Sequence, residues 1–201
     1  MDSASFAIGC DMYGAWSSQG LDFTIEAVAA GLLESAKGYK MSDEQKQSLL
    51  MRLEQEMANR RQAKIQENID KGKAFIEENG KRTGVKSTES GIQYEVVKSG
   101  NGIRPSASDM VKVHYTGKLI DGTVFDSSVE RGEPIQFPLT QVIPGWSEGV
   151  QLMDVGSVYK LYIPYHLGYG EQQVHVIPGG STLIFEVELL EIVKEQEKSA
   201  Q

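Results

Sequence analysis

From Ser42 to Asn79 the chain contains no proline and a single glycine, Gly72. Ser42 and Gln45 stand at the spacing of a capping box, in which the serine hydroxyl accepts from the third helical amide and the glutamine reaches back. One helix of about 37 residues and about 55 Å is therefore expected, closed by Gly80 and Gly84. Leu49, Leu50, Leu53 and Met57 give its start an apolar stripe, and Phe75 and Ile76 give its end another. Between them, residues 58–64 are polar almost all round, the pattern of a solvent-exposed helix bridging two folded parts. The competing arrangement lays the helix along the second part with its polar middle outward.

The part before this helix reads as one or two short helices broken near Gly20. Phe6, Ile8, Met12, Tyr13 and Trp16 recur at helical spacings, as do Phe23, Ile25, Val28, Leu32 and Leu33. A segment of about 40 residues buries little by itself and needs a disulfide, a metal or a partner. The chain has one cysteine, Cys10, which excludes an intramolecular disulfide and any multi-cysteine metal site. Cys10 itself is expected as a small buried hydrophobe on a helix. Pairing with a second copy of the chain is the remaining solution.

The part after the helix has the period of strands. A polar linker at 85–91 leads to an alternating strand at 92–97 and a loop through Gly100, Gly102 and Pro105. Val111, Val113 and Tyr115 then alternate on a strand with one buried face, and Asp121-Gly122 supplies the tight reversal after it. The chain returns with Val124, Phe125 and Asp126. Two further strands are expected at 158–163 and 182–193, with Trp146–Met153 as the one helical piece among them. One short helix against an antiparallel sheet is an α+β arrangement. Phe137, Val142, Ile143, Trp146, Tyr169 and Phe185 each stand beside a turn, glycine or proline. Such apolar residues, four of them aromatic, drawn from several elements with few polar groups among them, describe a pocket for a small apolar group.

Net charge bears on partners. With 28 acids against 20 bases, the chain carries −8, which argues against a phosphate backbone as ligand. No apolar run approaches the length of a membrane span. His114, His166 and His175 have no carboxylate or cysteine at ligand spacing, so no metal is expected. Strand parity points His114 away from the aromatic set.

The motifs Val113-His-Tyr-Thr-Gly117, Asp121-Gly-Thr-Val-Phe-Asp-Ser-Ser128, Val142-Ile-Pro-Gly-Trp146, Gly168-Tyr-Gly170 and Leu183-Ile-Phe-Glu-Val-Glu-Leu-Leu190 occur in the order seen in the FKBP family. Over about half of its length the chain resembles these peptidyl-prolyl isomerases, which bind tacrolimus and rapamycin. The resemblance implies Trp146 as the floor under a proline ring, with Tyr115, Phe137, Val142 and Phe185 as walls. It implies that Ile143 offers its backbone N–H to a substrate carbonyl, and that Phe125 and Asp126 border the twisting carbonyl, Asp126 as the sole nearby charge. Tyr169 would donate its hydroxyl, and Ile177 would cap the pocket from a loop. Phe125, Asp126 and Tyr169 are thus the implied catalytic set, with no cofactor. One departure stands out: Ile177-Pro-Gly-Gly180 replaces the family's second proline and bulkier residue, and the preceding loop from Glu171 to Val176 is about one residue short.

The amino-terminal motifs Phe6-Ala-Ile-Gly9, Gln19-Gly-Leu21, Ser42-Asp-Glu-Gln45, Gly72-Lys-Ala-Phe75, Glu78-Asn79 and Ser90-Gly91 resemble the dimerisation segment of macrophage-infectivity-potentiator-like bacterial FKBPs, and most of all their cytoplasmic, leaderless members. The likeness implies a helical dimerisation segment at 1–41, a connecting helix at 42–84 and an isomerase domain at 85–201. It also implies a V-shaped homodimer. Met1–Gly9 is too short and polar for an apolar leader, so the expected location is the cytoplasm, or the periplasm if a leader has been removed.

The implied reaction suits the pocket. The X-Pro bond resists rotation because amide resonance must be broken, a barrier of roughly 18–20 kcal/mol. The twisted amide has less charge separation than the planar one, so an apolar site favours it without any nucleophile. Unfolded or partly folded proline-containing chains are the expected substrates. The reading from a different class is a non-catalytic holdase, or a proline-peptide binding module.

Overall fold

The computed structural model describes residues 3–18 and 24–193. The expected break near Gly20, the residue Phe23 and the last eight residues of the expected isomerase domain lie outside the described residues. The chain divides into two compact units, Met1–Arg61 and Gln62–Gln201.

The first unit is helical: α1 (Ser3–Ser18), α2 (Ile25–Ala36) and the opening of α3 (Asp43–Asn79). The capping box forms as expected. Ser42 N–H donates to Gln45 Oε1 at 3.1 Å and Gln45 N–H donates to Ser42 Oγ at 3.2 Å. No described residue of this unit is fully buried. Phe6, Ile8, Tyr13, Leu32, Leu33, Leu49 and Leu50 are all exposed. Cys10, expected inside, is exposed as well, because the single unit has no interior to hold it.

In the second unit, the rest of α3 runs beside a seven-stranded sheet, with the Phe75 ring 6.0 Å from that of Tyr162. The helix residues that reach the interior are Ile65, Ile69, Gly72 and Asn79, spaced to fall on one face of a 3.6-residue helix. The polar run 58–64 stays exposed, and in the turns after it one face is buried while the other stays open. Its end is held by polar contacts. Asn79 Nδ2 donates to Gln93 Oε1 at 2.8 Å, and Gln93 Nε2 donates to the Ile76 carbonyl at 2.9 Å.

The strands are β1 (Val85–Ser87), β2 (Gln93–Lys98), β3 (Met110–Leu119), β4 (Val124–Ser127), β5 (Ile135–Pro138), β6 (Val158–Ile163) and β7 (Leu183–Val193). Their order is β1-β2-β6-β7-β3-β4, every pairing antiparallel, with β5 also on β3. β7 pairs along the whole of β3, so β4 and β5 share its other edge. Along β3, Val111, Val113, Tyr115 and Gly117 are buried and their neighbours are not, the alternation expected of a sheet with one covered face. The segment read as a linker at 85–91 contains β1, which pairs with β2.

α5 (Pro144–Gln151) covers that inner face. Proline opens it, its missing N–H being one the first turn cannot use anyway. A Cβ on Gly145 would stand 2.4 Å from Ile163 Cγ2, so glycine lets this helix lie directly on β6. The expectation of a single helical piece is corrected by α4 (Ser128–Arg131) and by 3₁₀ turns at Leu139–Gln141 and Tyr165–Leu167. Together with α5, these short elements carry the chain around the sheet's covered face.

Candidate active site

Trp146 stands in the first turn of α5, buried, with three aromatic rings around it. Tyr115 of β3 meets it edge-on at 5.2 Å between centroids, Phe185 of β7 at 5.0 Å and Phe137 of β5 at 5.2 Å. Phe125 of β4 then stacks edge-on to Phe185 at 5.4 Å. Register explains why the rings converge. Gly117 lies opposite Phe185 on one side of β3 and opposite Asp126 on the other. A Cβ there would come within 2.5 Å of the Phe125 ring and 2.8 Å of the Phe185 ring. Glycine therefore leaves the two rings the space above β3.

These rings enclose a cavity of about 410 Å³. The cavity is lined by all ten residues singled out in the sequence: Tyr115, Phe125, Asp126, Phe137, Val142, Ile143, Trp146, Tyr169, Ile177 and Phe185. They come from β3, β4, β5, α5 and its lead-in, β7, and the loop between β6 and β7. Five further lining residues were not singled out: Ile135, Gln141, Val174, His175 and Val176. Ile135 follows from the pairing of β5 with β3, where it lies opposite Val113. The others sit on turns, where periodicity carries no signal. His114 does point away, its Nδ1 lying 3.1 Å from Ser128 Oγ.

The polar side of the cavity is a triangle. The Tyr115 hydroxyl donates to Asp126 Oδ2, Arg131 Nη1 donates to Asp126 Oδ1, and Arg131 Nη2 donates to the Tyr115 oxygen at 3.2 Å. Asp126 is thus not the sole nearby charge. Arg131 is missing from the sequence reading because the four residues of α4 are what turn it back on Asp126. Ser127 caps that turn, its hydroxyl accepting from Glu130 N–H at 3.2 Å. The signal available in the sequence was a serine N-cap followed by a short acidic–basic pair before Gly132.

Electrostatics follow from these contacts. Burial pushes the Asp126 carboxyl up, but hydrogen bonds from Tyr115 and Arg131 outweigh it and hold the group below the usual carboxylate range. Burial, then the bond to Asp126, raises the Tyr115 phenol. Tyr169 is raised by burial and by the Asp126 charge, so its hydroxyl is a neutral donor at the rim. Ile143 accepts through its carbonyl from the amides of Trp146 and Ser147. Among the described residues its own N–H donates to no protein acceptor, which leaves it available beside the cavity. The arrangement offers an apolar cup, two donors and one carboxylate whose oxygens are already engaged.

Two family models match the chain. "FKBP-type peptidyl-prolyl cis-trans isomerase" covers residues 101–190, and "Domain amino terminal to FKBP-type peptidyl-prolyl isomerase" covers residues 1–96. The chain is 48% identical over 195 residues to the FKBP-type 22 kDa peptidyl-prolyl cis-trans isomerase of Escherichia coli, a match covering 94% of each. It is 51% identical over 174 residues to the FKBP-type isomerase FkpA of Aeromonas hydrophila, covering 85% of this chain but only 64% of that relative's length. The crystal structure of FkpA from Escherichia coli superposes with a TM-score of 0.85 at 37% identity, covering 96% of this chain and 95% of that one.

Proposed function

This chain belongs to the FKBP-type peptidyl-prolyl cis-trans isomerases, and we propose that its aromatic cup accelerates X-Pro rotation in unfolded or partly folded polypeptides. The observation that carries this reading is the cavity floored by Trp146, with Tyr115, Phe137 and Phe185 around the indole.

The mechanism is differential binding. A planar X-Pro amide has a strongly polarised carbonyl, whereas the twisted one has lost that resonance. The proline ring packs on Trp146 and displaces water from the cup. Phe125 and Asp126 border the carbonyl as it leaves the plane. Asp126 cannot turn to solvate it, because Tyr115 and Arg131 hold both carboxylate oxygens. The Ile143 N–H anchors a flanking carbonyl, and Tyr169 donates from the opposite rim. Ile177 closes the cup. Interactions made better with the twisted form than with the planar one lower the barrier. Tacrolimus and rapamycin are proposed to occupy the same cup.

A second reading accompanies this one, carried by the first unit. Its exposed Phe6, Ile8, Leu32, Leu33 and Leu49 form more apolar surface than a small soluble unit leaves open. We assign these helices to homodimer formation, with client chains held between the two copies in a chaperone-like manner. The likeness of the amino-terminal motifs to cytoplasmic members supports the cytoplasm as the proposed site of action. Appearance of the protein in the osmotic-shock fraction of cells would overturn that placement. No helix among the described residues is long and apolar enough to cross a membrane.

A proline tetrapeptide assay on the full chain tests the enzymatic reading. Turnover above the buffer rate, abolished by rapamycin and slowed at least tenfold by Phe137→Ala (about 1.4 kcal/mol or more of transition-state binding), is expected. Aggregation suppression should persist in the same variant. Turnover no faster than in buffer leaves only the holdase.

A further inference from the structure

The loop that closes the cup is built against α3. Asn68 Nδ2 donates to the Gly179 carbonyl at 2.9 Å. Ile65 and Ile69 are buried beside the same segment. A Cβ on Gly180 would lie 2.6 Å from the Ile65 carbonyl oxygen and 2.9 Å from Ile69 Cγ1. On Gly179 it would lie 3.1 Å from Ile65 Cγ1 and 2.2 Å from the Glu171 carbonyl oxygen. Farther along the helix, a Cβ on Gly72 would meet Thr182 Oγ1 at 2.3 Å. Helix and loop therefore touch closely, and at Gly179 and Gly180 the obstructing atoms include backbone carbonyls, so a side chain does not fit there. Gly179 and Gly180 are also where the sequence departs from the family pattern, and the departure coincides with the place where α3 lies.

The rest of the loop is held together internally. Gly180 N–H donates to the Gly170 carbonyl at 2.9 Å, which closes the loop's base. Val174 and Ile177 exchange backbone hydrogen bonds of 3.0 and 2.9 Å around a tip formed by His175 and Val176. His175, at φ +51°, is the one non-glycine residue with positive φ among the described residues. Val174, His175, Val176 and Ile177 all line the cavity. The tip thus faces the cavity, while the base, through Gly179, is tied to Asn68.

We propose that Asn68, supported by Ile65 and Ile69, is a positioning residue that holds the 171–180 loop over the cup and sets how firmly a proline-containing segment is gripped. The inference rests on the reading of the cavity as the prolyl site. A loop ordered before binding loses less freedom when substrate arrives. The rings around the twisting bond stand on β3, β4, β5, α5 and β7, and Tyr169 precedes the 171–180 segment, so releasing that segment weakens binding and leaves the rotation step alone. That is a KM effect with kcat preserved.

The experiment uses the full chain and a proline tetrapeptide, with affinity from NMR titration, kinetics from the isomerisation assay and amide hydrogen exchange as a third readout. Asn68→Asp keeps the shape but removes the donor, and Asn68→Ala removes the side chain. Each is expected to weaken binding and raise KM roughly fivefold, the worth of one hydrogen bond, with kcat within about twofold of the parent. Exchange should rise at 174–180 but not along β3 or β6. Asn59→Asp makes the same change on α3 at a residue whose side chain, among the described residues, accepts only from Gln55, and should match the parent. Parent-like affinity in both Asn68 variants overturns the proposal. So does lost affinity accompanied by equally raised exchange along β3, which would make Asn68 merely stabilising. A parent that neither binds nor turns over the peptide refutes the prolyl-site reading itself, a result distinct from either.

Discussion

The Tyr115 hydroxyl donates to the Asp126 carboxylate from the adjacent strand, and Arg131 bonds to both partners. Tyr115 also packs its ring against Trp146. One phenol therefore sets both the polar wall of the cup and part of its apolar lining. The carboxylate is fixed as a hydrogen-bond acceptor for the protein itself, which argues against its use as a general base.

Acid titration should expose this arrangement. The folded-state pKa of Asp126 lies below its ordinary value because the bonds from Tyr115 and Arg131 outweigh burial. A group of that kind stabilises the fold fully above its unfolded pKa of about 3.9 and loses its contribution as pH falls through the lower, folded value. Asp126 is partly exposed, so the effect is modest. Thermal unfolding measured from about pH 5 down to about pH 2 should show a shallower acid decline in Asp126→Asn than in the parent. Equal slopes would mean that the triangle contributes nothing to stability.

Gly117 should tolerate no side chain. A Cβ there meets the rings of Phe125 and Phe185, and neither can retreat without entering the cavity or the core. Gly117→Val is expected to cost about 1–3 kcal/mol of stability, as overpacking does, and to lower kcat/KM more than Tm alone explains. Denaturant unfolding and the tetrapeptide assay measure the two effects. A variant that unfolds early but keeps parent-like kcat/KM while folded would show that these rings do not shape the site.

Much of this is legible in the residues alone. The alternation of Val111, Val113 and Tyr115 marked β3 and its buried face, and Asp121-Gly122 marked its end, where Gly122 adopts φ +89°. The Ser42–Gln45 box placed the start of α3 correctly. What escaped notice was short or sparse. β5 spans four residues ending in a proline, and α4 spans four, too few for either period to register. Ile65 and Ile69 stand alone in a polar stretch. Their pairing with Gly72 on one helix face gains meaning only once Gly179 and Gly180 lie opposite, because a close helix contact needs small residues on both sides. Arg131 escaped for a related reason, its partner being chosen by a turn and not by spacing along a strand.

The first unit should fail to assemble when its apolar surface is charged. Leu32 and Leu33 of α2 are exposed, and α2 has no buried residue. Leu33→Glu placed in a dimer interface would bury an unpaired carboxylate, which costs far more than the leucine contributed. Sedimentation of the full chain should show a dimer for the parent and a shift to monomer for the variant, with tetrapeptide turnover unchanged. A parent that sediments as a monomer removes the homodimer from the proposed function.

Asn79 should be needed to hold the end of α3 on the sheet. Its side chain is buried, donates to Gln93 and accepts from Arg82 Nη1 at 2.7 Å. Arg82 in turn donates from Nη1 to Tyr162 Oη at 3.2 Å and from Nη2 to Glu95 Oε2 at 3.3 Å. Asn79→Ala strips the buried Gln93 carbonyl of its donor, and a buried polar group left unmade costs about 1–3 kcal/mol. Asn79→Asp leaves the acceptor for Arg82 but sets a carboxylate against the Gln93 oxygen, so it should be no better than alanine. Gln93→Leu removes that unpaired oxygen and fills its place with apolar atoms. Added to Asn79→Ala, it should therefore cost less than the two single changes summed. Such non-additivity is the mark of residues in one network, and denaturant unfolding of the four proteins measures it. Strict additivity would mean that the two side chains stabilise the junction independently, and that the hydrogen bond between them carries none of the coupling.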